Sequence, residues 1–517
     1  MDIYKIKDTL STKRFRDTFC AVLVVLFITA EMFVSAANDW DGRLDIINLI
    51  GITSKVLFVI IVLRNIPCKS FAVKVYGAFL VWLIVTRPFC RDVTFDGSHG
   101  IIIKHIVFFC VLNCFSSGKE KLKKGVFVAT SAVYCLFYLA ISIALIYISV
   151  MHGKISILIN IDVRVLENAY VNVLSRNRNI TAQWVCIAFC LALCLRVVFQ
   201  EKKIVRFLIS LLCVCFYVAL GTTLSRASFA AAAASLAVAV AIYLTEYLKN
   251  KKHITYTIVP IFIALIVFVG SYKGFNVTNA LLSKVSERTY VTSTLDNHPV
   301  DEDTNSVVVS DSAETVETAE EKSSSVLKDT RDTENIRTMN ARSTIWYATI
   351  GSLTYEPYRL KFGDLPENYM TAINMKIANM GKNWETSHAH NSALEVLMMT
   401  GVVGFVFILV FLILLLVRMM CVFFSKKASI FGKMLILPVA ATIVKNMFES
   451  TLVRHEDVTN YIFFLVAGIF LSYSYELFPE KKRWGRRKGK AQSANDASST
   501  AIDEAAAKQT LAEQVTL

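Results

Sequence analysis

The sequence predicts an all-α polytopic membrane protein, with about 12 transmembrane helices and a large extracytoplasmic loop that carries short helices. Of its 517 residues, 55% are hydrophobic and 19% are charged, whereas soluble domains are roughly 45–50% apolar and about 25% charged. The apolar residues form continuous runs of about twenty residues, which is the length that a helix needs to cross a bilayer. The strands of a transmembrane barrel would instead alternate over about ten residues. A soluble enzyme or transcription factor is therefore excluded.

The apolar runs predict the membrane-spanning helices in order. They lie at 19–38, 44–63, 71–89, 100–116, 125–151, 180–200, 204–224, 227–248, 254–274, 400–421, 430–452 and 459–477. We interpret the first run as a retained span and not as a cleaved signal peptide, because it carries Glu31 and lacks a small-x-small cleavage site.

Lysine and arginine predict the orientation of these spans, because short cytoplasmic connections are enriched in both. The basic segments all fall on one side when the connections are counted alternately, namely 5–16, 64–69, 119–124, 202–206, 249–252, 418–427 and 481–490. We therefore expect a multi-pass protein of the cytoplasmic (inner) membrane with both termini in the cytoplasm. The net charge of +14 then reflects topology and a tail that can contact anionic lipid, and not nucleic-acid binding.

The same pattern predicts four regions along the chain. These are transmembrane helices 1–9 (1–275), an extracytoplasmic loop (276–391), transmembrane helices 10–12 (392–477) and a basic, then disordered, cytoplasmic tail (478–517). Within the loop, an acidic stretch at 291–336 has almost no aromatic residues and is predicted to be a disordered insertion. The aromatic-rich stretch at 337–391 is predicted to fold as short helices packed over the membrane face.

One histidine is a candidate proton acceptor. His390 precedes a helix that the S-x-x-E spacing of Ser392 and Glu395 marks as a capping box. A helix N-terminus attracts anions and favours neutral imidazole, and neutral imidazole can accept a proton. The alternative is an interfacial histidine that hydrogen-bonds to the loop.

Three cations are candidates for binding an anion at the outer face, since charges at the membrane are costly unless they are paired or used. Arg226 opens an Ala-rich helix, where the helix dipole opposes a cation and so favours an anionic ligand. Arg342 has Trp346 one turn further along, and Lys104 lies about one turn inside the fourth span. The alternatives are snorkelling for Arg226 and Lys104 and an ordinary surface position for Arg342. Glu31, Glu449 and His455 are further candidates near the outer ends of spans, and Glu449 could pair with one of the arginines.

Four motifs carry a resemblance to a known family. They are TLSRASFA at the start of a span, ARSTIWYATI and YRLKFGD in the large loop, and HAHNSALEVLMMTGVVGF leading into a span. In this order and spacing the chain resembles the bacterial O-antigen ligase and O-antigen polymerase family over roughly 70–470. The resemblance implies a membrane glycosyltransferase of surface polysaccharide assembly, such as O-antigen, capsule or exopolysaccharide, that works without a metal or other cofactor and inverts the anomeric centre.

The resemblance also implies partners and residue roles. The donor would be an undecaprenyl-diphosphate-linked glycan and the acceptor a glycan or lipid-linked glycan among membrane lipids, with no nucleic acid. His390 would be the catalytic base, and Arg226, Arg342 and Lys104 would bind the diphosphate. The supporting residues would be His388, Asn391, Ser225 and Arg91.

Three alternatives stay open at this point. One is a non-catalytic scaffold or sensor of the cell envelope that uses the loop and the basic tail for contacts, which would leave Arg226, Arg342 and His390 unexplained. The acceptor is not encoded in a motif, so the sequence does not separate a polymerase from a ligase. A transporter or flippase of lipid-linked oligosaccharides is the alternative of another class. It predicts internal repeats and charges near the bilayer centre, whereas we find no repeat and the informative charges lie at the outer face.

Overall fold

The computed structural model describes most of the chain. The described residues are 13–36, 45–89, 95–117, 120–151, 178–223, 225–251, 253–296, 335–355, 357–382, 386, 389–450 and 457–479, with four two-residue strands between 156 and 171. The predicted acidic insertion therefore falls almost entirely outside the described residues. The chain divides into two compact units, Met1–Tyr473 and Ser474–Leu517, and of the second only 474–479 are described.

The described elements are almost all helices. The first nine helices are α1 Lys13–Ala36, α2 Asp45–Asn65, α3 Phe71–Thr86 (followed by a 3-10 turn, Arg87–Phe89), α4 Phe95–Ser117, α5 Glu120–Met151, α6 Arg178–Val198, α7 Lys203–Thr223, α8 Arg226–Tyr247 and α9 His253–Asp296. The later helices are α10 Asn335–Tyr355, α11 Pro357–Phe362, α12 Pro366–Asn379, α13 Ser392–Phe423, α14 Ile430–Met434, α15 Ile436–Asn446 and α16 Val458–Leu477.

Four strands of two residues lie between α5 and α6. They are β1 Ser156–Ile157, β2 Ile161–Asp162, β3 Leu166–Glu167 and β4 Tyr170–Val171. β1 pairs with β2 and β3 with β4, both antiparallel, so they form two separate short hairpins.

Ten of the described helices are long and apolar enough to cross a membrane, which confirms the predicted all-α polytopic fold. Two further predicted spans are shorter in the structure. The predicted span at 71–89 is the 16-residue α3. The predicted span at 430–452 is divided into α14 and α15, because the Ser429 side chain caps α14 at its start and the helix is interrupted at Leu435.

Packing between antiparallel helices defines the two ends of the bundle. α15 packs against α8 and α6. Lys433, in α14, donates to the Thr245 hydroxyl near the end of α8 at 3.3 Å, so α15 runs back along α8 toward its first residue. We call the end of the bundle where α8 begins and α15 ends the upper end, and the other one the lower end.

α6 and α16 also begin at the upper end. The Cys194 thiol donates to the Met434 carbonyl at 3.2 Å, which places the end of α6 low. The Trp184 indole N–H donates to Asp457 Oδ1 at 2.9 Å, which places the start of α6 beside the start of α16. α16 therefore runs from the upper to the lower end.

Two glycines fasten the loop helices to α13. Gly363 (φ 78°) and Gly401 (φ 65°) both have left-handed backbone conformations, and Gly401 kinks α13. A Cβ on Gly363 would lie 2.3 Å from the Met399 carbonyl carbon, and one on Gly401 2.3 Å from the Lys361 carbonyl oxygen. Only glycine allows this approach without strain. The backbone contact holds the end of α11 against α13 at Met399 and Gly401.

Candidate functional site

Three side chains from distant parts of the chain meet at the upper end. Glu449 Oε1 accepts a hydrogen bond from Arg342 Nη2 at 3.1 Å, and Glu449 Oε2 lies 3.3 Å from His390 Nδ1. The Glu449 side chain is 7% exposed, whereas those of Arg342 and His390 are 26% and 25% exposed. We call these three residues the His390 cluster. Its carboxylate is enclosed while its cation and its imidazole still reach the surface.

The backbone around His390 is held in an unusual conformation. His390 has φ 51° and is the only described non-glycine residue with a positive φ. Strained residues of this kind collect at functional sites. The next residue, Asn391, caps α13, because its Oδ1 accepts from the amides of Ala393 at 2.9 Å and Leu394 at 3.1 Å. The capping bonds fix the start of α13 and so the position of His390, the residue just before the cap.

A second set of contacts supports the cluster from the side of the loop. The Trp346 indole donates to the Ala389 carbonyl at 3.1 Å, and the Ala389 amide donates to Glu395 Oε2 at 2.9 Å. Glu395 is fully buried, and its other oxygen accepts from the Tyr369 hydroxyl. Trp346 therefore braces the residue before His390 while Arg342, one turn earlier on α10, reaches Glu449.

The predicted capping box of Ser392 and Glu395 is wrong in its residues, although α13 does begin at Ser392. Ser392 is buried against the end of α15, and its hydroxyl contacts Asn446 Oδ1 at 2.8 Å and the Glu449 carbonyl at 3.0 Å. Because the Ser392 hydroxyl makes these contacts, Asn391 caps the helix instead. Glu395 accordingly reaches back to Ala389 and not to the cap residue.

The charge state of Glu449 follows from its neighbours. Glu449 lies beyond the end of α15, outside the membrane-spanning helices. Burial alone would raise the pKa of its carboxyl, but the hydrogen bond with His390 and the cations of Lys445 and Arg342 lower this pKa to about 2. The carboxylate is therefore ionised at neutral pH and acts only as an acceptor.

An ionised Glu449 assigns the tautomer of neutral His390. Because a carboxylate accepts and cannot donate, His390 Nδ1 carries the proton that faces it. The lone pair of the neutral ring is then on Nε2, which is the atom able to take a proton from a substrate. Glu449 orients His390 in the way that a carboxylate orients the histidine of a catalytic triad.

The structure places the predicted diphosphate ligands at different positions relative to the His390 cluster. Arg342 belongs to the His390 cluster. Arg226 is exposed and begins α8, so it lies at the same upper end. Ser225 is the N-cap of α8, but its side chain makes no capping bond and its hydroxyl lies 3.3 Å from that of Ser228.

Lys104 lies on α4. It is half-buried beside His105, a buried histidine whose Nδ1 lies 2.7 Å from the Tyr76 hydroxyl. The predicted supporting residues Arg91 and His388 lie outside the described residues. The structure thus joins His390 with Arg342 and puts Arg226 at the same end of the bundle.

Lys445 is a site residue that sequence reasoning missed. It lies one turn before Glu449, is 2% exposed, and its Nζ makes no hydrogen bond within the described part of the chain. Its charge is among those that lower the pKa of Glu449. The available signal was a lysine four residues before a glutamate at the end of an apolar run.

One comparison with known proteins finds a match. Residues 208–409 match the family model described as O-antigen ligase, a range that includes Arg226, Arg342 and His390 and stops short of Glu449. No curated protein matches the chain. The family match confirms the predicted resemblance and supports the O-antigen ligase family. It implies a membrane enzyme of the glycosyltransferase type that acts in polysaccharide assembly on lipid-linked glycans.

Proposed function

We propose that the protein transfers a glycan from an undecaprenyl-diphosphate carrier to a sugar hydroxyl at the outer face of the cytoplasmic membrane, with both termini in the cytoplasm. The observation that carries the proposal is the His390 cluster, in which an ionised, enclosed carboxylate orients an accessible imidazole beside an accessible guanidinium. A sugar hydroxyl is a weak nucleophile and needs a base, whereas a diphosphate is a good leaving group whose charge needs cations.

His390 is the general base in this proposal. Nε2 takes the proton of the acceptor hydroxyl while the hydroxyl oxygen forms the new bond to the anomeric carbon. The bond from that carbon to the diphosphate oxygen breaks, and its electron pair leaves with the diphosphate. Glu449 keeps the Nδ1 proton in place and stabilises the imidazolium that forms. Attack opposite the leaving group inverts the anomeric centre.

Arg342 and Arg226 stabilise the leaving diphosphate. Guanidinium carries five N–H donors, and Glu449 uses the Nη2 group of Arg342, so the outer side of the same guanidinium can meet phosphate oxygens. Arg226 supplies an exposed cation at the upper end. Two arginines suit this role because they bind phosphate oxygens bidentately. Lys104, on α4, is the third cation for the diphosphate in this proposal.

The proposal is tested in a strain that lacks the protein, complemented with wild type, His390→Ala, Arg226→Ala or Lys382→Ala. Lys382 is an exposed cation of the same loop and serves as the matched control. Lipid-linked glycans and surface polymer are compared by gel electrophoresis and mass spectrometry. We expect wild type and Lys382→Ala to restore polymer, and the other two variants to fail at normal protein levels.

The same experiment separates the two acceptor classes. Single repeats left on the carrier identify a polymerase, which joins one lipid-linked repeat to another. Long chains left on the carrier and missing from the surface identify a ligase. Normal surface polymer from both His390→Ala and Arg226→Ala would contradict the proposed site. Unchanged glycans in both fractions of the deletion strain would contradict the proposed activity.

A further inference from the structure

A second site lies at the lower end of the bundle, away from the His390 cluster. It consists of a small cavity with charged residues in its wall and, next to it, an apolar groove between α1 and α5. The two share Asp17 and Leu122 in their walls. Their position follows from Lys123, a wall residue whose ammonium donates to the hydroxyl of Ser472 near the lower end of α16.

The cavity is positively charged. It has a volume of about 80 Å³, and its charged wall residues are Arg16, Lys69, Lys123 and Asp17, so three cations face one carboxylate. Lys123 is only 4% exposed, and Arg16 Nε lies 3.8 Å from Asp17 Oδ1. A buried ammonium next to two further cations favours an anion.

Polar atoms in the cavity wall also point to a missing partner. Arg16 Nε and Ser117 Oγ are both buried, and neither makes a hydrogen bond within the described part of the chain. Buried polar groups are nearly always hydrogen-bonded. The two atoms can donate to the oxygens of a phosphate-sized group in the cavity.

The groove is shaped for a hydrocarbon chain. It has a volume of about 780 Å³ and is lined by apolar and small residues of α1 and α5, namely Thr18, Ala21, Val22, Val25, Leu26, Leu122, Gly125, Val126 and Ala129, together with Asp17 at the polar end. Val22 and Leu26 are 49% and 44% exposed, so the groove opens sideways. A Cβ placed on Gly125 would meet no atom within 4 Å, because this part of the helix faces open space.

We propose that the cavity and the groove together bind one anionic phospholipid, with its phosphate among Arg16, Lys69 and Lys123 and one acyl chain between α1 and α5. An anionic head attached to an apolar chain matches a cavity with three cations in its wall that lies next to an apolar groove. A zwitterionic lipid would bring its own cation to a site of net positive charge, and a free phosphate would leave the groove unfilled. Basic pockets between transmembrane helices bind acidic headgroups for this reason.

Native mass spectrometry of the full chain in detergent tests the site, with phosphatidylglycerol or phosphatidylcholine added. We expect the wild type to retain one phosphatidylglycerol about tenfold more tightly than phosphatidylcholine. Arg16→Ala combined with Lys69→Ala removes the preference. Gly125→Phe fills the groove and lowers retention of both lipids to the level of nonspecific adducts.

Two matched controls keep the result specific. Gly270→Phe adds the same ring to α9, where a Cβ also meets no atom within 4 Å. Lys202→Ala combined with Arg206→Ala removes two cations from the lower end outside the groove. Both are expected to bind as wild type does.

Three outcomes would overturn the site. One is a wild type without lipid preference, and another is a Gly125→Phe protein, eluting as wild type on size exclusion, that retains phosphatidylglycerol fully. The third is complete displacement by glycerol phosphate at an equal concentration, which would show that an anion is bound without the groove.

Discussion

Two arginine–carboxylate pairs, one proposed to be structural and one proposed to serve catalysis, have similar contact distances but different surroundings. Arg359 contacts Asp364 at 2.9 Å and Arg342 contacts Glu449 at 3.1 Å. Asp364 is completely buried, and its Oδ1 also accepts from the Leu365 amide and the Asn368 side chain. The side chain of Arg359 is 11% exposed, against 26% for Arg342.

The difference lies in what the carboxylate does with its second oxygen. Asp364 uses its Oδ1 to hold backbone and side chain at the start of α12, so the pair is closed by the fold. Glu449 gives its second oxygen to His390, a group with its own access to the surface. Burial and the identity of the second partner therefore separate the two pairs. We call Arg359–Asp364 the closed pair, because it fastens the loop, and Arg342–Glu449 the open pair, because we propose that it orients a base.

The largest effect is expected from removing His390, the proposed base next to the open pair. His390→Ala should lower the rate of glycan transfer, measured per molecule of folded protein, about 10²–10⁴-fold. Transfer from a lipid-linked donor by purified protein measures the rate. A loss below about tenfold would rule out general-base catalysis by this residue.

Breaking the closed pair should affect stability and not chemistry. Arg359→Ala leaves the Asp364 carboxylate buried without its cation, which costs about 3–5 kcal/mol. We expect a lower unfolding midpoint in detergent and less folded protein. The double variant Arg359→Ala with Asp364→Asn is the control, and it should recover part of the midpoint. An unchanged midpoint in Arg359→Ala would show that the pair does not fasten the loop.

The open pair should also give a pH dependence of stability. The pKa of Glu449 in the folded protein is about 2, below its ordinary value of 4.5. Its ionised form therefore stabilises the fold above about pH 4.5, and this contribution is lost as the pH falls through about 2. The difference in unfolding midpoint between wild type and Glu449→Gln should shrink over that window.

An exposed glutamate gives the comparison for this pH profile. Glu201 lies in the turn after α6, and Glu201→Gln should follow the wild-type midpoint throughout. A difference between wild type and Glu449→Gln that grows on acidification would contradict the proposed ionisation.

The smallest expected effect is the difference in stability loss between variants of two N-cap residues, one next to His390 and one next to Arg226. Asn391 caps α13 with its side chain, so Asn391→Ala should cost about 1 kcal/mol. Ser225 makes no side-chain capping bond, so Ser225→Ala should cost only a few tenths of that. Unfolding midpoints of the two variants decide the order, and equal losses would show that the cap at Asn391 does not hold the backbone of His390.

The sequence predicts the fold class and part of the site well, for physical reasons. Continuous apolar runs have one outcome in a bilayer, so the helices follow from hydropathy. His390 and Arg342 can be singled out because charged and titratable groups at a membrane face are costly unless they are paired or used.

Tertiary pairing is what the sequence does not show. The sequence indicates that Glu449 could pair with an arginine, but Arg342 is 107 residues away, and no local pattern identifies it as the partner. The break at Leu435 is hidden in an unbroken apolar run, since hydropathy does not register a helix interruption. The capping box failed because Ser392 has a better partner on another helix. Lys445 was missed because its role depends on the carboxylate above it.

One measurement tests the central claim that the open pair is catalytic and the closed pair structural. Transfer from an undecaprenyl-diphosphate-linked glycan is measured for wild type, Arg342→Ala and Arg359→Ala in lipid nanodiscs, per molecule of monodisperse folded protein. We predict that Arg342→Ala is folded and nearly inactive, and that Arg359→Ala is less stable yet turns over at the wild-type rate per folded molecule. Full turnover by Arg342→Ala, with loss of turnover in folded Arg359→Ala, would contradict the account.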